Sequence, residues 1–259
     1  MDLFVRESGP SDAPVIVFLH GGRMSGWSWG PVVERMGSYR CLVPDLPQYG
    51  KSAARGPFGM ADATAAVAEL IRCRTDDGRA HVVGFSLGAQ VGLQLVAAEP
   101  NLVDRAVLCG TVINPMPGVP VAQRVLGLLA RTSLFRWAIN AHWRSHHVGF
   151  APAETDDYRE DVRLMKGPLL AQIAMASAGF IPPEGLEKSS AQTLLITGTE
   201  EKAFMRRWAA SIARQMPHGT EGVAIGMRHD WPLRCPELFS RTIDGWLSET
   251  TLPSEIELL

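Results

Sequence analysis

The pentapeptide Gly84-Phe85-Ser86-Leu87-Gly88 decides how this chain is interpreted. It follows the apolar run Ala80-His81-Val82-Val83 and precedes a helix-like stretch over residues 89–96. Between a buried strand and a helix, Gly-x-Ser-x-Gly forms a turn so sharp that the serine occupies a strained backbone region, and a Cβ on either neighbouring glycine would clash. Such a turn projects the serine hydroxyl from the carboxyl end of the sheet, at the positive end of the next helix. Ser86 is therefore the candidate nucleophile; the alternative is a tight strand-to-helix turn with an incidental serine.

Short apolar runs alternate with helical patterns on both sides of this pentapeptide. Between the runs, apolar residues recur at helical spacing, as at Ala63, Val67, Leu70 and Ile71. The alternation predicts a mostly parallel sheet with helices on both faces, and an antiparallel edge strand near Leu3-Phe4-Val5. The apolar runs are typical of strands covered on both faces and lie at residues 15–19, 39–43, 80–83, 106–109, 193–196 and 222–225.

The alternation is interrupted between residues 112 and 190, a segment with proline-rich ends. Because ligands of open α/β sheets bind at the carboxyl edge of the strands, we predict a helical cap over that edge, inserted into an α/β core of residues 1–111 and 191–259. The alternative is a few extra helices on a remote edge. Helical patterns within the insertion span residues 121–130, 134–144, 156–166 and 168–178.

A serine hydroxyl becomes a good nucleophile only when a base takes its proton, and the base needs an orienting partner. His229 follows the last strand candidate, in a loop that would share the carboxyl edge of the sheet with Ser86. The acid should follow the preceding strand; Glu201 is preferred there, with Glu200 in reserve. The chain order serine, acid, histidine is that of one hydrolase fold and differs from the order in chymotrypsin-type and subtilisin-type proteases.

Acyl transfer also requires hydrogen-bond donors that are already in place for the developing oxyanion. The Leu87 N–H, at the start of the helix after Ser86, is one candidate. The second is the Gly22 N–H in the loop His20-Gly21-Gly22-Arg23, with the Arg23 N–H next in preference. We expect His20 to brace this loop by hydrogen bonding, not to act in catalysis.

Taken together, these motifs resemble the α/β-hydrolase superfamily, of the capped small serine esterase kind. The resemblance extends over nearly all of the chain outside the insertion, and it implies an eight-stranded, mostly parallel sheet flanked by helices, with an inserted helical cap. It also implies nucleophile, acid, base and oxyanion roles for Ser86, Glu201, His229, Leu87 and Gly22. The segments that carry it are residues 20–22, 45–52, 84–88, 198–201 and 227–229.

Two residues depart from the family's usual pattern. Gln48 stands where relatives usually carry glycine in the segment after Asp45, which predicts an altered turn near the pocket. The acid is a glutamate where most relatives use aspartate, so the choice between Glu200 and Glu201 stays open.

The composition narrows the class of protein further. The chain has 259 residues and a net charge of −2, without a long basic run, which disfavours a nucleic-acid surface. Its first residues lack a secretory signal, and no apolar run approaches the roughly 18 residues of a membrane span. The four cysteines have no CxxC spacing and are expected to be reduced thiols, so we expect a cytoplasmic protein.

No cofactor or metal is expected. His146-His147 lacks cysteine or acidic ligands at fitting spacing, so a solvated corner of the cap is the better interpretation. Gly50-Lys51-Ser52 lacks the first glycine of a phosphate-binding loop, and no dinucleotide-binding fingerprint is present.

These observations predict a cofactor-independent serine hydrolase, above all a carboxylesterase that cleaves small apolar or aromatic esters through an acyl-enzyme. Candidates to line its pocket, or simply to pack the cap, are Trp137, Trp143, Met165 and Met175. The alternatives are a C–C hydrolase, lyase or acyltransferase on the same fold, a thioesterase or amidase, and a ligand receptor with a vestigial triad. Nothing in the sequence indicates the oligomeric state.

Overall fold

A single eight-stranded sheet forms the centre of the molecule, in the order β1-β3-β2-β4-β5-β6-β7-β8. The edge strands β1 and β8 are antiparallel to their neighbours, and the six strands between them are parallel. The structure, a computed structural model, describes residues 2–55, 58–113, 152–164, 172–173, 176–177 and 179–259. The strands are β1 (Val5–Ser8), β2 (Val15–Leu19), β3 (Arg40–Pro44), β4 (Ala80–Phe85), β5 (Val103–Cys109), β6 (Gln192–Gly198), β7 (Gly219–Ala224) and β8 (Ile256–Leu258).

Helices cover both faces of this sheet. One apolar cluster joins the sheet to α2, α3 and α5, and a second joins it to α1, α6 and α7. The eight-stranded, mostly parallel fold and its antiparallel edge near Val5 are thereby confirmed. The helices are α1 (Gly30–Val33), α2 (Met60–Arg74), α3 (Leu87–Ala98), α4 (Pro152–Leu164), α5 (Ala203–Ala213), α6 (Trp231–Arg234) and α7 (Pro236–Leu247).

Large aromatic side chains stabilise the second face. The Trp29 and Phe239 rings stack with their centroids 5.7 Å apart, and Trp231 meets Phe239 edge-on at 4.9 Å. Each removes on the order of 150–250 Å² from water, and apolar burial stabilises by ~25 cal/mol per Å². This aromatic packing stabilises the strands, and thereby the positions from which the loops after them begin.

Only part of the predicted insertion falls within the described residues. Helix α4 begins four residues earlier than the pattern from residue 156 predicted, and it packs against two 3-10 turns, Gly26–Trp29 and Gly50–Ser52. These turns follow β2 and β3, so α4 lies above their carboxyl ends. The helices predicted at 121–130 and 134–144, the His146-His147 pair and the four candidate pocket residues lie outside the described residues, and the division at residues 112 and 190 stays a prediction.

Within the described ranges, no helix is both long enough and apolar enough to cross a membrane.

Candidate active site

Ser86 makes the turn between β4 and α3 on its own. Its backbone has φ 52° and ψ −108°, a region that side-chain-bearing residues rarely occupy. A Cβ on Gly84 would lie 2.6 Å from the Gly88 carbonyl oxygen, and one on Gly88 only 2.0 Å from the Leu19 carbonyl oxygen. Both glycines are therefore required, and the strained turn predicted from the sequence is present.

The next strand places His229 beside this turn. The Ser86 N–H donates to the Cys109 carbonyl at 2.9 Å, which ties the turn to the end of β5. The following residue, Gly110, packs directly on the imidazole, because a Cβ there would lie 2.7 Å from His229 Cε1. The Phe85 ring also lies beside the imidazole, with ring centroids 5.2 Å apart. His229 is thus held by the residues that adjoin Ser86.

Glu201 forms a preassembled pair with His229. The imidazole Nδ1 lies 2.8 Å from Glu201 Oε2, and the other carboxylate oxygen accepts the Gly198 N–H at 2.9 Å. The Glu201 side chain is 3% exposed, whereas that of His229 is 42% exposed. A carboxylate can only accept, so Nδ1 carries the proton and Nε2 is left as the basic nitrogen.

Glu200 points away from the imidazole. Its carboxylate pairs with Arg228 at 2.8 Å, and the two side chains are 49% and 78% exposed. The two glutamates also differ in their backbone hydrogen bonds. The Glu201 N–H donates to the Gly198 carbonyl, whereas the Glu200 N–H donates to the Met227 carbonyl. The structure therefore brings Glu201, and not Glu200, to His229.

Among the hydrogen bonds of the described residues, none joins the Ser86 hydroxyl to the His229 ring. Contacts between nucleophile and base are often long in ligand-free enzymes and tighten when substrate binds. The contact between Glu201 and His229 is thus already formed in this structure, whereas the Ser86 hydroxyl is not joined to the imidazole.

His20 braces the loop after β2, as predicted. Its Nδ1 lies 2.9 Å from the Gly21 carbonyl, and its Nε2 accepts the Leu46 N–H at 3.0 Å. Burial lowers the pKa of His20 to about 4, so the ring is neutral with its proton on Nδ1. A Cβ on Gly21 would lie 2.8 Å from the Phe85 ring, so the braced loop packs on the residue before Ser86.

The two preferred oxyanion donors belong to neighbouring residues. A Cβ placed on Gly22 would lie 3.9 Å from Leu87 Cβ and 3.9 Å from the Tyr49 hydroxyl oxygen. Leu87 is the first residue of α3, where backbone N–H groups have no partner within the helix. Arg23, the second choice, has φ 70° and a buried side chain. The geometry is compatible with a pair of donors from Gly22 and Leu87.

Gln48 occupies a backbone conformation that favours glycine. Its φ is 67°, in the left-handed region, and its N–H donates to the Ser52 carbonyl at 3.1 Å. The Asp45 carboxylate joins this turn to the loop after β2, because it accepts the Lys51 N–H and the Gly26 N–H, both at 2.8 Å. A left-handed backbone costs a residue with a side chain about 1–2 kcal/mol, and the altered turn expected from Gln48 stays a prediction.

Two residues that shape the candidate site were not identified from the sequence. Gly110 forms the surface under His229, and Asp161 reaches the loop after β2 from α4. For Gly110, the only indication in the sequence was its position just after a strand. For Asp161, there was no indication in the sequence. In the described part of the chain, no three His, Cys, Asp or Glu side chains are grouped so that they could hold a metal ion.

Comparisons with known proteins identify the family of this chain. The model of the alpha/beta hydrolase family matches residues 16–242. The chain is 26% identical to (E)-2-((N-methylformamido)methylene)succinate hydrolase of Acinetobacter baylyi, over 91% of this chain and 90% of the relative. It is 24% identical to pimeloyl-[acyl-carrier protein] methyl ester esterase of Yersinia enterocolitica, over 88% and 91% of the two chains.

Solved structures show the same architecture. The enol-lactonase of Burkholderia xenovorans superimposes with a TM-score of 0.76 at 20% identity, over 95% of this chain and 96% of that one. At this identity the likeness concerns the fold alone. Because the family model matches most of the chain, from residue 16 to residue 242, the chain belongs to the α/β-hydrolase family.

Proposed function

We propose that this protein is a cofactor-independent serine hydrolase that cleaves small carboxylic esters. The observation that carries the proposal is the Glu201–His229 pair, whose imidazole packs against Phe85 and Gly110 beside a strained serine turn. Nucleophilic catalysis by serine requires an oriented base, and strained backbone conformations cluster at active sites, whereas a purely structural role needs neither.

In the proposed reaction, Ser86 Oγ attacks the ester carbonyl while His229 Nε2 takes the hydroxyl proton. Glu201 stabilises the resulting imidazolium, and the Gly22 and Leu87 N–H groups bind the oxyanion. The imidazolium then returns the proton to the departing alcohol. In the second half, His229 removes a proton from water, which cleaves the acyl-enzyme and releases the acid.

Ester chemistry is favoured over the other reactions of the fold by the relatives. One relative, similar over 88% of this chain, is named a methyl ester esterase. We propose an apolar or aromatic ester as the substrate, free in solution, with neither nucleic acid nor membrane as a partner. A cytoplasmic location is part of the same proposal.

A panel of p-nitrophenyl esters of graded chain length tests the reaction class. We expect saturable release of p-nitrophenol from the short and medium esters, with a maximum at one chain length. Protein purified in parallel with Ser86→Ala controls for contaminating esterases. If the protein binds an ester analogue but hydrolyses every ester only at the background rate, it is not an esterase. The other chemistries of the fold would then remain.

A further inference from the structure

Helix α4 turns one acidic side chain toward the protein interior. Asp161 is 3% exposed, although Asp157, one turn earlier on the same helix, is exposed. Moving a carboxylate out of water is strongly unfavourable unless hydrogen bonds compensate for the lost hydration. The burial of Asp161 therefore points to donors that have been arranged around it.

Those donors come from the loop after β2. The Trp27 Nε1–H donates to Asp161 Oδ2 at 2.7 Å, across 134 positions of sequence. Ser25 supports the same carboxylate with its hydroxyl and its backbone N–H. Between them, the Gly26 N–H donates to Asp45 Oδ1 at 2.8 Å. Three consecutive residues are thus held by two carboxylates, Asp45 from the core and Asp161 from α4.

This segment continues directly from the proposed oxyanion donor, since Ser25 is three residues beyond Gly22. We propose that Asp161 is a positioning residue of the active site, whose carboxylate holds Ser25 and Trp27 and thereby fixes the loop that presents the Gly22 N–H. The proposal rests on the proposed function, because Gly22 is a donor only in acyl transfer. In this proposal, helix α4 supports the active site through Asp161, although Asp161 does not contact the substrate.

The surroundings of Asp161 determine when its carboxylate is ionised. Burial above all, with a smaller contribution from Asp45, raises the pKa of Asp161 to about 6, because the hydrogen bonds from Trp27 and Ser25 offset these effects only in part. The titratable and charged groups of the neighbouring elements are Arg23 with the nearby Tyr49 and Tyr158, Asp45 with its partner Arg6, and Lys51. Above about pH 6 the ionised carboxylate accepts from all its donors; below it, a proton occupies one oxygen.

The raised pKa of Asp161 determines how the stability of the fold changes with pH. Asp161 binds its proton more tightly in the folded chain than in the unfolded chain, so its contribution to stability is fully present at low pH. That contribution is lost as pH rises through about 6. The carboxylate that holds the loop at neutral pH is therefore kept ionised at the expense of stability.

Replacement of Asp161 by asparagine tests the positioning role, with Asp157→Asn as the matched control on the same helix. We expect wild-type kcat to exceed that of Asp161→Asn by about tenfold at pH 8, because an amide has one acceptor oxygen and presents its NH2 group to donors. Near pH 5, where the carboxyl is also neutral, the two should differ less than about twofold. A kcat of Asp161→Asn equal to that of wild type at pH 8 would overturn the proposal.

Hydrogen exchange measures the loop without reference to the reaction. Asp161→Asn should increase amide exchange at residues 20–29 at pH 8, and Asp157→Asn should not. Trp27→Phe, which removes one donor and keeps an aromatic ring, should reproduce part of the increase. If these exchange results hold while Ser86→Ala retains activity, the loop is positioned by Asp161 and the proposed function is wrong. Unchanged exchange in Asp161→Asn overturns the positioning role even in an active esterase.

Discussion

Replacing Ser86 by alanine is expected to lower kcat for ester hydrolysis by about three to six orders of magnitude. The variant has no nucleophile, although oxyanion donors and substrate contacts remain. Alanine carries the same Cβ as serine, so the strain of the turn at φ 52° persists and the fold is retained. Steady-state kinetics with a saturating ester measure the loss, and thermal unfolding checks that the midpoint stays within a few degrees of wild type.

The comparison is decisive because the two measurements separate chemistry from folding. Turnover within tenfold of wild type by a folded Ser86→Ala protein would show that another group attacks the substrate. The Glu201–His229 pair would then have only a structural role.

Glu201→Gln is expected to lower kcat/KM by about three to four orders of magnitude. The carboxylate accepts from His229 Nδ1 and from the Gly198 N–H at once, one oxygen for each. A glutamine has a single oxygen, so its NH2 group must face either the Gly198 N–H or Nδ1. Facing Nδ1, it would favour the tautomer that carries the proton on Nε2, which cannot accept from serine. Activity at pH 8 against wild type measures the effect.

Glu200→Gln is the matched control, since it makes the same chemical change one residue away. It breaks only the exposed pair with Arg228, which contributes little to stability because solvent screens it, and should change kcat/KM by less than about threefold. Equal, mild losses in both variants would mean that neither glutamate orients the base.

The fold was predictable because its strongest signals are local. The strands β2 and β6 are apolar runs buried on both faces, and the glycines around Ser86 mark a turn that permits no side chain at their positions. The strand β8, Ile256–Leu258, carried no such signal. It has three residues, of which only Ile256 is buried, and it is defined by its antiparallel pairing with β7.

The site was predictable where chain order and strand ends determine it, and not where tertiary contacts do. Ser86 and His229 follow from their loops, but Glu200 and Glu201 are adjacent in one loop, and only tertiary contacts separate them: Glu201 meets His229, whereas Glu200 meets Arg228. Similarly, Asp157 and Asp161 are equivalent along a charged helix until Trp27 meets one of them. Such choices depend on contacts between distant segments, which the periodicity of the sequence does not encode.

Reaction with an active-site-directed fluorophosphonate tests most directly whether Ser86 is activated. A hydroxyl that transfers its proton to His229 attacks phosphorus, whereas ordinary serines do not react at neutral pH. We predict one adduct per chain, located by peptide mass spectrometry on Ser86, and much slower labelling in Glu201→Gln. A folded wild-type protein that takes up no adduct, or takes it up on another residue, would contradict nucleophilic catalysis by Ser86.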